Sequence, residues 1–154
     1  YKNDIEIKTI NIKKEKTETF NFIYKEDLFS EYSKPLSYLY EPNAAILKSG
    51  GFHQITNKLA VFKLQQHSHL YTSEKRLNFP GRVFKIEHIL SYDKKKILKL
   101  LPEKKANITT RNFPKTVAQI RKETKIKDGG TLYLFFTTTI ENKLIVILCS
   151  KFNL

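Results

Sequence analysis

A chain of 154 residues with 40% hydrophobic content can bury one ordinary core or two small ones, which excludes a disordered chain. Its net charge is +13, unevenly spread: residues 1–80 hold 12 basic and 9 acidic side chains, residues 81–154 hold 16 and 6. Charge concentrated in one half favours an anionic partner, nucleic acid or a membrane surface, although lysines that only keep a small domain soluble give the same total.

In chain order, "DIEIKTINIKK" and "ETFNFIY" alternate apolar and polar residues and predict two adjacent strands. A polar and aromatic link, "KEDLFSEYSKPLSYLYEP", follows. Asn43 after Pro42 is placed to cap a helix over "AAILKSGGFHQITNKLA", with Ile46, Leu47, Ile55 and Leu59 on its apolar face, and Gly50 and Gly51 are positioned to split that helix in two. A short strand "AVFKL", the segment "HSHLYTS" and the turn "NFPG" complete the first half.

"RVFKIEHIL" predicts a strand, after which Asp93 caps a helix "KKKILKLLP" that buries Ile97, Leu98 and Leu101 and turns Lys94, Lys95, Lys96 and Lys99 outward. "ANITTRNF" is the next strand; if Ile108 and Thr110 face inward, Asn107, Thr109 and Arg111 share the outer face. Thr116 and Gln119 form a capping box opening the helix "VAQIRKETKI", with Val117, Ala118 and Ile120 inward, and "KDGG" offers glycine for a left-handed stop. Two strands, "TLYLFFTTTI" and "KLIVILC", make a hairpin around Glu141 to Lys143 and place Cys149 as a small buried hydrophobe. The order β-α-β-α-β-β predicts an α+β unit with its helices on one face of a mixed sheet.

No GxGxxG, GxxxxGK[ST], HExxH, CxxC or GxSxG occurs, so no self-contained nucleotide, zinc or hydrolase site is expected. His67 and His69 lack a third ligand nearby, so no metal is expected there; one should hydrogen-bond locally and the other be solvated. Glu87 beside His88 reads as structural, and Tyr32, Tyr38 and Tyr40 read as packing at a core or junction rather than as a base-stacking platform. The longest apolar run falls short of the ~18 residues a bilayer span needs, and no signal segment is present. A soluble, cytoplasmic protein without a membrane partner is therefore expected, and one that starts at Tyr1 without any methionine is expected to be a piece of something longer.

"YLYEPNAAILKSGGF", "HSHLYTS", "FPGRVFKI", "KKANITTRNFP" and "IKDGGTLYLFFTT", in that order, resemble the C-terminal part of a group of bacterial class I S-adenosylmethionine-dependent methyltransferases. In that group a Rossmann-like catalytic domain precedes a ferredoxin-like and then a THUMP-like domain. The resemblance implies a ferredoxin-like domain over residues 1–80 and a THUMP-like domain, a relative of modules that present RNA to modification enzymes, over 81–154. It also implies a catalytic domain as partner in cis. The glycine-rich cofactor loop of such enzymes has no counterpart here, so this chain alone is expected neither to bind S-adenosylmethionine nor to catalyse transfer.

Charge and resemblance together point to a structured RNA, such as tRNA or rRNA, held through its phosphates. The expected contacts are Lys94, Lys95, Lys99, Lys104, Lys105, Arg111, Lys115, Arg121 and Lys122, with Asn107 and Asn112 available for ribose or base edges. The competing expectation is a structural module whose charge serves solubility and whose aromatic link docks on the catalytic domain.

Overall fold

The computed structural model describes residues 4–25 and 28–152. The two predicted N-terminal strands, β1 (Glu6–Ile12) and β2 (Thr17–Ile23), pair antiparallel as a separate two-stranded sheet. Their alternation puts Phe20 and Phe22 inward and Ile10 and Ile12 outward. The expected link hides an element: Tyr38–Pro42 is a strand, β3, and all but its first residue is buried. A strand buried on both faces shows no polar alternation, which is why its sequence reads as a connector.

Asn43 caps the next helix as expected, its Oδ1 accepting from the Ile46 amide at 3.0 Å. The glycine pair splits the helix into α1 (Ala44–Ser49) and α2 (Phe52–Lys58), with Gly50 supplying a left-handed cap at φ 71°. Short strands β4 (Phe62–Lys63) and β5 (Tyr71–Ser73) follow.

The second half runs β6 (Gly81–Leu90), α3 (Lys94–Lys99), β7 (Asn107–Arg111), α4 (Val117–Thr124), β8 (Leu132–Thr138) and β9 (Leu144–Lys151), with a single 3-10 turn at Pro102–Lys104 after α3. Asp93 accepts from the Lys96 amide, and Thr116 with Gln119 forms the reciprocal box. Two local expectations fail. The left-handed stop of α4 is Lys125 at φ 63°, the glycines lying further on, and Ala118 faces solvent while Ile120 and Thr124 carry the buried face.

One seven-stranded sheet, ordered β4-β5-β3-β6-β9-β8-β7, holds both halves together. β6 is its seam: Tyr40 pairs with Val83 on one side, and Ile86 pairs with Cys149 on the other. β7 joins β8 in parallel, and the remaining neighbours are antiparallel. Side chains of β8 and β9 alternate between two cores. Leu134, Phe136, Val146 and Leu148 meet Ile97, Leu101 and Ile120 of the helical layer, whereas Phe135, Ile147 and Cys149 meet Leu39, Leu64, Leu70 and Phe84. A third core joins Phe20 and Phe22 to Tyr40, Ile46, Ile55 and Tyr71. Each fully buried aromatic or aliphatic side chain contributes about 1.5–3 kcal/mol, and the core that joins Leu39, Leu64 and Leu70 to Phe135, Ile147 and Cys149 ties the two halves together.

Candidate nucleic-acid interface

The lysines of α3 point outward because Ile97, at 1% exposure, and Leu101 anchor the opposite side. Lys94, Lys95, Lys96 and Lys99 are exposed, and so are Lys104, in the turn after the helix with φ 55°, and Lys122 on α4. None of the six has a carboxylate partner among the described residues. They form a ridge of exposed lysine side chains suited to phosphate contacts that carry no sequence information.

The rest of the expected contact set is engaged within the protein. Lys105 Nζ lies 3.6 Å from Glu103, and Lys115 Nζ donates to Glu123 at 2.6 Å while sitting over the Tyr92 ring. The Lys115 hydrogen bond, followed by that from the Tyr92 hydroxyl, holds the Glu123 carboxyl below its usual range; burial, then the bond to Glu123, pushes the Tyr92 phenol up to about 12. Asn107 Nδ2 donates to the Gly130 and Leu132 carbonyls, and Asn112 Nδ2 donates to Gln65 Oε1 at 3.0 Å.

Arg111 and Arg121 do not stand outward as the strand and helix patterns suggest. Arg121 donates to the Ile126 and Ala106 carbonyls, both at 3.1 Å, and to Asp128 at 2.8 Å, clamping the chain after α4 onto the start of β7. Arg111 reaches across the curved sheet: its Nη2 lies 3.1 Å from Glu41 Oε2, although β8, β9 and β6 separate β7 from β3. Arg82 Nε holds the other oxygen of Glu41 at 2.8 Å. Glu41 is 7% exposed, so its charge is stabilised by this pair of guanidinium groups. Nothing local in "YLYEP" announces that role.

Among the described residues no group of three or more His, Cys, Asp or Glu is arranged to hold a metal ion. His67 is exposed. His69, contrary to the local hydrogen bond or solvation expected, stacks on Phe52 with centroids 3.7 Å apart, and its buried Nδ1 has no partner among the described residues. Burial first, then the nearby Lys63 charge, lowers its imidazole to about 4. Lys63 is itself 1% exposed, its Nζ donating to the Gln66 carbonyl at 2.6 Å, and burial lowers its amine to about 8. Glu87 accepts from Ser150 Oγ, a structural contact. Tyr40 is wholly buried with its hydroxyl on Ser73, and Tyr38 packs edge-on against Phe152, as junction packing requires. Cys149 is buried among apolar side chains, which pushes its thiol up and leaves it protonated.

One concentration of charge escapes sequence reasoning altogether. Lys13, Lys16, Arg76, Arg82 and Lys151 line a cleft of about 460 Å³ where β6 begins and β9 ends. They come from four separate segments, so neither a charge run nor a comparison of halves brings them together.

Residues 81–151 match a family model described as THUMP domain-like, and residues 38–80 match that of a ferredoxin-like domain. The fold is thus α+β with a ferredoxin-like and a THUMP-like domain. A crystal structure of a protein from Porphyromonas gingivalis W83, provisionally named a methyltransferase, matches 96% of this chain with a TM-score of 0.88 and 35% identity. The chain spans 38% of the length of that protein. No protein of curated function matches. No helix of the described residues is long and apolar enough to cross a membrane.

Proposed function

We propose that this chain is the RNA-recognition region of an S-adenosylmethionine-dependent methyltransferase whose catalytic domain lies outside these 154 residues. The observation that carries the reading is the ridge of Lys94, Lys95, Lys96, Lys99, Lys104 and Lys122, six lysines without a carboxylate partner among the described residues, on a THUMP-like domain. A ridge of this kind holds a structured RNA such as tRNA or rRNA by its backbone while another domain performs the chemistry. The likeness to a protein named as a methyltransferase supports that division of labour. The chain has no glycine-rich loop of the methyltransferase type, so calorimetry with S-adenosylmethionine should show no binding to it.

The test compares the wild-type chain with a Lys95→Glu, Lys99→Glu, Lys104→Glu variant in filter binding to bulk tRNA at two salt concentrations. Affinity should fall, and each lost phosphate contact should flatten the salt slope by roughly 0.7 to 1. Equal binding by both folded proteins sinks the ridge. Arg111 is unsuitable for this test, since reversing its charge also breaks the Glu41 pair.

A second reading rests on the outer face of the β1–β2 hairpin, where Ile10 and Ile12 are 59% and 80% exposed. An apolar patch of this type suits docking of another domain. Its association would be insensitive to salt, which separates it from the ridge.

A further inference from the structure

The cleft between the β1–β2 turn and the sheet has a composition that the fold alone does not require. Lys13 and Lys16 come from the turn, Arg76 from the segment leading into β6, Arg82 from β6 and Lys151 from the end of β9. The cleft therefore lies astride the two family matches, which meet between residues 80 and 81. Among the described residues no aspartate or glutamate lines it. Like charges gathered around a low-dielectric wall repel one another and focus a positive field on whatever enters.

Two of the five side chains are held in place without being used up. The Arg76 guanidinium lies 4.5 Å from the centroid of the Phe152 ring, its Nε is buried without a partner, and none of its nitrogens donates to protein among the described residues. Partial burial of a guanidinium with its donors idle is unfavourable unless an external acceptor completes it. Arg82 is oriented by Glu41 through Nε and lies against the rings of Phe84 and Tyr133, which leaves its terminal nitrogens without protein partners among the described residues. Lys13 is steadied by Glu18 at 3.0 Å; Lys16 and Lys151 have no carboxylate partner among the described residues. Fixed guanidinium forks match the oxygens of a phosphate bidentately, and lysines add field without direction. A volume of about 460 Å³ admits a nucleotide-sized group.

We propose that this cleft is a phosphate-binding site, separate from the α3 ridge, in which Arg76 and Arg82 grip the phosphate while Lys16 and Lys151 attract it. An RNA backbone and a free nucleotide both present that group, and the proposal stands whichever supplies it. It is independent of the ridge, which lies on other elements.

The arginine Nε–H resonances of the whole chain give a direct readout. They are followed by NMR during titration with pyrophosphate, with ADP and with a short single-stranded RNA at low salt. The Arg76 signal should shift saturably. An Arg76→Gln, Lys16→Gln variant should weaken the affinity about tenfold or more, read from the backbone amides around Gly81. Lys16→Gln alone should weaken it less, and Lys95→Gln with Lys99→Gln on the ridge should leave the Arg76 shift unchanged. RNA binding much more tightly than ADP identifies a backbone phosphate, and ADP binding as tightly identifies a free nucleotide; each supports the site. Absence of a saturable Arg76 shift with all three probes at millimolar concentrations overturns it, as does wild-type affinity in the folded Arg76→Gln, Lys16→Gln variant.

Discussion

Replacing Arg111 by methionine asks whether this side chain serves the fold or a ligand. Its Nη2 lies 3.1 Å from Glu41, which is 7% exposed and also held by Arg82 at 2.8 Å. At an effective dielectric of ~20, charges about 3 Å apart attract by on the order of 5 kcal/mol. A third of the Arg111 side chain is still in water, with a relative exposure of 33%, and Arg82 remains to hold the carboxylate. Hydration and the remaining partner offset more than half of the attraction, so the net loss should be about 2 kcal/mol. With a urea slope of ~2 kcal/mol per molar, the unfolding midpoint should drop by about 1 M. Glu41→Gln combined with Arg111→Met should cost less than the two changes added, with a coupling of ~1 kcal/mol. RNA affinity per folded molecule should be unchanged. An unaltered midpoint together with weakened RNA binding would refute the structural assignment and return Arg111 to the ligand surface.

Gly81→Ala should be among the most damaging single changes, costing on the order of 3 kcal/mol or more, because the added Cβ would sit 2.0 Å from the Glu41 carbonyl oxygen and force β3 from β6; a thermal midpoint near wild type would show that the strands can part cheaply. Thr116→Ala removes the side-chain acceptor of the Gln119 amide and should cost about 1 kcal/mol, with Thr116→Ser close to neutral in the same urea titration. His69 bears on acid stability: its folded value near 4 lies below the ordinary 6.5, so the unfolded chain binds the proton first as pH falls. Its contribution is intact above 6.5 and is lost on descending towards 4. His69→Phe, which keeps a ring against Phe52, should flatten the melting temperature across that window relative to wild type. Parallel curves would assign the acid sensitivity to other groups.

Where an element's signal is local, the sequence is a sufficient guide. Asp93, Asn43 and the Thr116–Gln119 box satisfy helix amides within three residues of themselves, so their hydrogen bonds are written into adjacent positions. The glycine pair at 50–51 splits its helix for the same kind of reason. β3 is the counterexample. Leu39 faces one core and Tyr40 another, so a strand buried on both sides carries no alternation to read. The candidate site divides along the same line. Lys94, Lys95 and Lys99 are outward because helical spacing puts Ile97 and Leu101 inward, and that is legible in seven or eight consecutive residues.

Composition, caps and periodicity determined which segments become helices and strands, that the second half is the more positive, and that α3 presents lysines to solvent; each depends on neighbours a few positions away. Only the tertiary structure decided which positive charges remain available. Arg111 is spent on a carboxylate 70 residues distant and Arg121 on the carbonyls of Ala106 and Ile126, while Arg76, which lines one cleft with Lys16 and Lys151, has no hydrogen-bond partner among the described residues. The physical reason is that a charge is neutralised or left open by what lies within a few ångströms of it, and in a curved sheet that pairs β3 with β6 and β6 with β9, those neighbours are set by strand order and curvature rather than by sequence separation.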